Sequence, residues 1–182
     1  MDYPVRKLHR LKEYDYSQNG YYFITVCTKD RLPILGDVKN TSRGDVVVEP
    51  SLIGKVVLEA WEGISALDLT ISTDCFCLMP NHIHGIVVID NTKEKNDTAE
   101  RRGRRSLHDI VKGFKSCSTR EYNRIVSADK RNQLWQASFY DTVIRNEAML
   151  YEVRKYIEEN PAAWAYDKYF SESERALDNF LI

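Results

Sequence analysis

The order in which two periodicities alternate along the chain constrains its fold more than any other feature. The run from Tyr21 to Thr28, YYFITVCT, is rich in β-branched and aromatic residues and follows the turn signal Gln18-Asn19-Gly20, so it reads as a first strand. After Ser51, a capping residue, Leu52, Val56, Ala60 and Ile53, Val57, Trp61 recur at helical spacing. Strand character returns from Leu69 in a stretch ending CFCLM, breaks at Pro80-Asn81 and resumes as HIHGIVVID, which predicts an antiparallel pair. Asn91 to Arg105 is polar and charged and reads as a loop, and Ser106 then opens a second helix with Leu107, Ile110, Val111 and Phe114 along one stripe. A fourth strand over about Leu134 to Ile144 precedes a third helix starting near Asn146. That helix is expected to stop before Pro161, because the residue preceding a proline resists helical dihedrals. A small extra hairpin from Leu32 to Leu35 and Val46 to Val48 completes the reading, whose order is βαββαβα. Two crossover helices then occupy one sheet face, leaving the third helix to cover the other.

The 182 residues fit one compact domain, taken as 1–182. With 43% hydrophobic and 29% charged residues the chain has neither the polarity of a disordered segment nor the apolar excess of a membrane protein. No run approaches the roughly 18 apolar residues that cross a bilayer. The stretch from Met1 to Arg10 also lacks the apolar core of a secretory signal, so a cytoplasmic location without a membrane partner is expected. The four cysteines, Cys27, Cys75, Cys77 and Cys117, form no CxxC pair and suit reduced, packed thiols.

A net charge of −1 argues against indiscriminate coating of nucleic acid, yet it hides an asymmetry. Between Arg101 and Arg124 lie Arg101, Arg102, Arg104, Arg105, Lys112, Lys115, Arg120 and Arg124 against Asp109 and Glu121, a local balance of +6 that leaves −7 for the rest. Such a stripe suffices to contact several phosphates, and it is equally what a solvated loop and helix face looks like.

Two groups of residues carry chemistry. His82 and His84 in MPNHIHGIV are two apart in a strand, so both imidazoles project from one face and can present themselves to one divalent ion. Imidazole suits several transition metals without choosing one, and a histidine pair on a sheet is also met as simple packing. In VRKYIEENP, Tyr156 and Asn160 are four apart and share a helix face, which brings a phenol and an amide oxygen together. A phenol with a pKa of about 10 is a poor nucleophile unless a cation or base stands beside it.

The stretches YDYSQNGYYFITVCTKDR, MPNHIHGIVV, SLHDIVKGFKS, LWQASFYDTVIRN and YIEENPAAWAYD agree in order and spacing with one family. From about Leu11 to Phe170 the chain resembles the REP-associated tyrosine transposases and their insertion-sequence relatives, the single-tyrosine HUH transposases. The resemblance implies an α+β architecture, a ferredoxin-like βαββαβ sheet with helices on one face plus a C-terminal helix carrying the nucleophile. It assigns His82 and His84 to a divalent cation, Mg or Mn, and Tyr156 to nucleophilic attack. Insertion-sequence relatives place a glutamine four residues after the tyrosine as third ligand. Here Asn160 stands in that place, with the same carbonyl oxygen on a side chain one methylene shorter. The implied activity is cleavage and rejoining of single-stranded DNA hairpins by metal-assisted transesterification through a 5′-phosphotyrosine, in a monomer or homodimer. Arg101, Arg102, Arg104, Arg105, Lys112, Lys115, Arg120 and Arg145, with Lys7 and Arg10, are then candidate contacts to the DNA backbone.

Two rival readings stay open at this level. A turn at Pro80-Asn81 sets Cys77 opposite His84 and Cys75 opposite Ile86, so a structural zinc on Cys75, Cys77, His82 and His84 is conceivable. The order of elements is also that of sheets that bind nucleic acid without catalysis, with Tyr21, Tyr22 and Phe23 as possible stacking residues, although no RNP-like run appears. Trp135 and Gln136 are read as braces of the active site, and Trp164 and Pro161 as packing at the end of the third helix.

Overall fold

Alternation along the strands decides what each face of the sheet meets. The computed structural model describes residues 11, 13–66, 68–93, 104–126 and 133–164. The elements run β1 (Gly20–Cys27), β2 (Gly36–Asn40), β3 (Val46–Pro50), α1 (Leu52–Glu62), β4 (Ile71–Met79), β5 (His82–Ile89), α2 (Leu107–Ile125), β6 (Tyr140–Ile144) and α3 (Glu147–Ala163). The main sheet has the order β4-β5-β1-β6, and every neighbouring pair is antiparallel. This is the ferredoxin-like arrangement, in which the two strands that are successive hairpin partners, β4 and β5, sit to one side of β1.

One face of the sheet carries Tyr22, Ile24, Val26, Ile83 and Val87, which pack with Val57 and Trp61 of α1 and Ile110 and Phe114 of α2. The other face carries Cys27, Cys77, Met79 and Ile86, and there Leu150 and Ile157 of α3 and the adjoining Trp164 close a second core. The third helix thus covers the face that the crossover helices leave bare, as the order of elements predicts. At roughly 25 cal/mol per Å² of apolar surface, this two-sided burial is the dominant favourable contribution to folding.

Helix starts follow their caps. The Ser51 hydroxyl accepts from Gly54 N at 3.0 Å, Ser106 and Asp109 form a reciprocal capping box, and Asn146 Oδ1 accepts from Met149 N at 2.9 Å. Three details differ from expectation. The extra hairpin pairs Gly36–Asn40 with Val46–Pro50, so its second strand begins at Val46 as expected while its first starts only after the apolar run at Leu32 to Leu35. Leu35 is instead fully buried in the first core, and its backbone groups bond to Pro80 and Ser51. The fourth strand is only Tyr140–Ile144; upstream of it, Trp135 makes an isolated bridge to Thr28. Finally, α3 continues through Pro161 to Ala163. A proline in the last turn removes a single backbone donor, and burial of Ile157 and Trp164 holds that turn in place.

Candidate active site

The Pro80-Asn81 turn fixes the register that builds the site. Residues Met79 and His82 pair across it, as do Cys77 and His84, while His84 also lies opposite Thr25 of β1. Both imidazoles therefore project from a central strand toward α3, and both are buried. The Nε2 atoms of His82 and His84 lie 3.0 Å apart. Each ring is held from behind. His82 Nδ1 donates to Asn81 Oδ1 at 2.7 Å, and His84 Nδ1 lies 2.8 Å from the Thr25 hydroxyl. Because an amide oxygen only accepts, the His82 proton sits on Nδ1 and Nε2 turns its lone pair toward His84 Nε2, the arrangement in which a second partner orients a metal-binding histidine.

Tyr156 reaches this pair from α3. Its hydroxyl oxygen is 3.4 Å from His84 Nε2. Phe23 stacks on His84 at 5.4 Å and meets the Tyr156 ring edge-on at 6.0 Å, so the phenol is aimed by ring contacts while Tyr156 stays 48% exposed. One helical turn on, Asn160 is buried and its Oδ1 has no hydrogen-bond partner. An orphaned buried carbonyl oxygen costs about 1–3 kcal/mol, so its presence on the same helix face as the phenol calls for a positive partner.

These residues fit a divalent cation. Neighbouring corners of an octahedron with bonds of about 2.1 Å lie about 3.0 Å apart, which matches the spacing of the two Nε2 atoms. Two nitrogen donors and an amide oxygen would supply the ligands.

The zinc reading does not survive this geometry. Cys77 does face His84 in the register, but a bulge between Thr73 and Phe76 displaces Cys75 from a regular pairing. Cys75 Sγ points to the Arg154 carbonyl at 3.9 Å and Cys77 Sγ to Met79 Sδ at 3.6 Å. Among the described residues no group of three or more His, Cys, Asp or Glu side chains is arranged to hold a metal.

The family model for IS200-like transposases matches residues 16–160 of this chain, spanning all of the site. The chain belongs to the IS200-like transposase family. A protein of Haemophilus influenzae, itself uncharacterized, is 29% identical to this transposase over 179 residues, covering 91% of this chain and 93% of the relative. Among solved structures, a REP-associated tyrosine transposase bound to a REP hairpin superposes with a TM-score of 0.51 at 19% identity, covering 87% of this chain and 76% of the other. That likeness supports the α+β fold. A putative transposase from Deinococcus radiodurans R1 gives a TM-score of 0.47 at 16% identity, with 82% and 95% covered.

The predicted DNA contacts of this transposase are dispersed. Arg101 and Arg102 lie outside the described residues, as do Lys7 and Arg10. Arg104 and Arg145 are exposed, and Arg105 is 3.7 Å from Asp68. Lys112, Lys115 and Arg120 lie on α2, in the layer beyond the sheet from the histidines, along two adjoining cavities of about 560 and 350 Å3 between α2 and residues 133–139. Lys115 Nζ bridges this gap by donating to the carbonyls of Gln136 and Ala137 at 2.6 and 3.0 Å.

Sequence reasoning missed Thr25 and Asn81 and read Phe23 only as a possible base-stacking residue, whereas its ring packs on His84 and Tyr156; the partner of His84 follows once the β1–β5 register is known. It also misplaced Trp135, whose indole donates to Ser118 Oγ at 2.8 Å and so braces α2 rather than the histidines. Trp164 does more than pack the helix end, since its ring lies 6.0 Å from that of His82.

Proposed function

We propose that this chain is a single-tyrosine HUH transposase that cuts and rejoins single-stranded DNA at hairpins, through a covalent 5′-phosphotyrosine at Tyr156. The observation that carries the reading is the meeting, within one chain, of the Tyr156 oxygen with His84 Nε2 at 3.4 Å beside a second imidazole nitrogen 3.0 Å away. The structural relative, a REP-associated tyrosine transposase, is bound to a REP hairpin, which supports a DNA hairpin as partner here.

His82 and His84, with Asn160, would hold a divalent ion, Mg or Mn. When bound, the ion withdraws charge from the scissile phosphate and favours the phenolate. Thr25 and Asn81 keep the two rings in the binding orientation, and Phe23 keeps the phenol in line with them. Tyr156 oxygen forms a bond to phosphorus as the bond to the 3′ oxygen breaks, and the phenolic proton ends on the released 3′-hydroxyl. Attack by a 3′-hydroxyl on the phosphotyrosine reverses these changes. Phosphodiester energy is conserved in the covalent link, so rejoining needs no nucleotide cofactor.

Incubation with single-stranded hairpin DNA and Mn²⁺ or Mg²⁺ tests this directly. A covalent protein–DNA species is expected from the unaltered chain and none from Tyr156→Phe. Tight hairpin binding without any adduct, under either metal, would instead identify a non-catalytic binding module.

A further inference from the structure

The helix that carries Tyr156 is seated by Leu150, Ile157 and Trp164, which lie along one stripe toward the sheet. Apolar contacts of this kind are non-directional, so they hold the helix down without fixing its roll about its own axis. At 100° per residue, Tyr156 and Arg154 overhang opposite flanks of that stripe. Tyr156 reaches toward Phe23 and His84 on β1 and β5, and Arg154 toward the edge strand β4.

On β4 the register slips between Thr73 and Phe76. Thr73 pairs with Val87 and Phe76 with Gly85, so Asp74 and Cys75 together stand opposite the one intervening residue of β5. Such a bulge re-aims side chains, and here both turn toward α3. Arg154 Nε and Nη2 donate to the two carboxylate oxygens of Asp74 at 2.9 and 2.6 Å, a bidentate fork. Asp74 Oδ1 is fixed in turn by Cys75 N at 2.7 Å, and Cys75 Sγ touches the Arg154 carbonyl.

We infer that Asp74 and Arg154 are positioning residues for the strand-transfer reaction, a clamp that sets the roll of α3 and thereby the distance from the Tyr156 oxygen to the imidazole pair. The inference rests on the function proposed above. Its magnitude follows from lever length. A phenolic oxygen sits on the order of 8 Å from its helix axis, so a roll of about 10° moves it by more than about 1 Å, a displacement that can cost roughly 100-fold in rate. A clamp opposite the nucleophile resists that motion because its two hydrogen bonds, unlike the apolar stripe, are directional.

The experiment compares Asp74→Asn, Arg154→Gln and the double variant with the unaltered chain. Single-turnover adduct formation at saturating Mn²⁺ and hairpin DNA is expected to fall 10- to 100-fold. DNA affinity, measured in a Tyr156→Phe background, should stay within about twofold. The double variant should be no slower than the slower single, since the pair acts as one unit. Arg154→Lys, which keeps the charge but loses the fork, should show an intermediate rate and covers the case in which the stronger variants do not fold. Histidine-ring NMR signals of the metal-free protein give a readout independent of catalysis: those of His84 should move in the clamp variants while those of His108 stay. Rates within threefold of the unaltered chain, or unmoved His84 signals, overturn the clamp. Absence of adduct from the unaltered chain overturns the proposed function instead, and the His84 signals still decide the clamp.

Discussion

The indole of Trp61 lies against the backbone of β5 at Gly85, next to His84, and a β-carbon added there would clash with two of the ring's carbons. The glycine thus lets α1 support the strand that bears both imidazoles without a side chain between them. Gly85→Ala should force the indole aside and destabilise the fold by about 1–3 kcal/mol, the usual cost of overpacking. Urea denaturation measures this directly, and an unchanged midpoint would mean that the ring simply slides away.

Asn160 offers a test in which stability and metal binding move in opposite directions. Its buried, unpartnered oxygen is a liability without a cation, so Asn160→Leu should leave the metal-free protein as stable as before or more so. The same change should diminish the rise in melting temperature produced by Mn²⁺. Thermal melts with and without the ion check both signs, and an undiminished Mn²⁺ effect would remove Asn160 from the ligand set.

Because the phenol and the imidazole pair meet in one chain, each subunit is expected to act with its own histidines. Mixing a His82→Ala, His84→Ala protein with Tyr156→Phe should therefore yield no adduct above the level of either alone. Restored adduct formation on mixing would show that the nucleophile is delivered to a partner's histidines.

Acid should unlock the last helix before it unfolds the sheet. The Arg154 guanidinium holds the Asp74 carboxyl below its ordinary value of 3.8, against the opposing effect of burial. A carboxyl depressed in this way stabilises the fold fully above its unfolded value, and that contribution is lost as pH falls through the folded one. The stability difference between the unaltered chain and Asp74→Asn, roughly 0.5–1 kcal/mol after solvent screening, should thus be complete at pH 6 and close below about pH 4. Urea midpoints across that range report it, and a gap that does not narrow at all as the pH falls below 3.8 would show that the carboxylate charge is not what holds the helix.

Much of this arrangement is legible in the chain. A turn at Pro80-Asn81 and strict alternation suffice to predict that His82 and His84 share a face and that Cys77 lies opposite His84, because antiparallel register follows from the turn. The helix starts are legible at Ser51, Ser106 and Asn146 for an equally local reason, the capping of free backbone donors. The single-residue slip at Asp74 is not, since a bulge leaves no mark in an alternation that a polar edge strand already blurs. Nor is the brevity of the last strand: Leu134 and Trp135 have strand-like character, yet they are buried against the helix layer, which overrides local propensity. The passage of α3 through Pro161 has the same origin in tertiary packing.

Lys112, Lys115 and Arg120 lie in the layer on one side of the sheet, and the imidazole pair lies on the other. A polymer that touches both cannot rest on a single face; it has to pass around an edge of the sheet, a path longer than the sheet is thick. Short oligonucleotides that reach the phenol would then miss the cations altogether, so substrate length, and not base sequence alone, would govern how firmly a strand is held while it is cut.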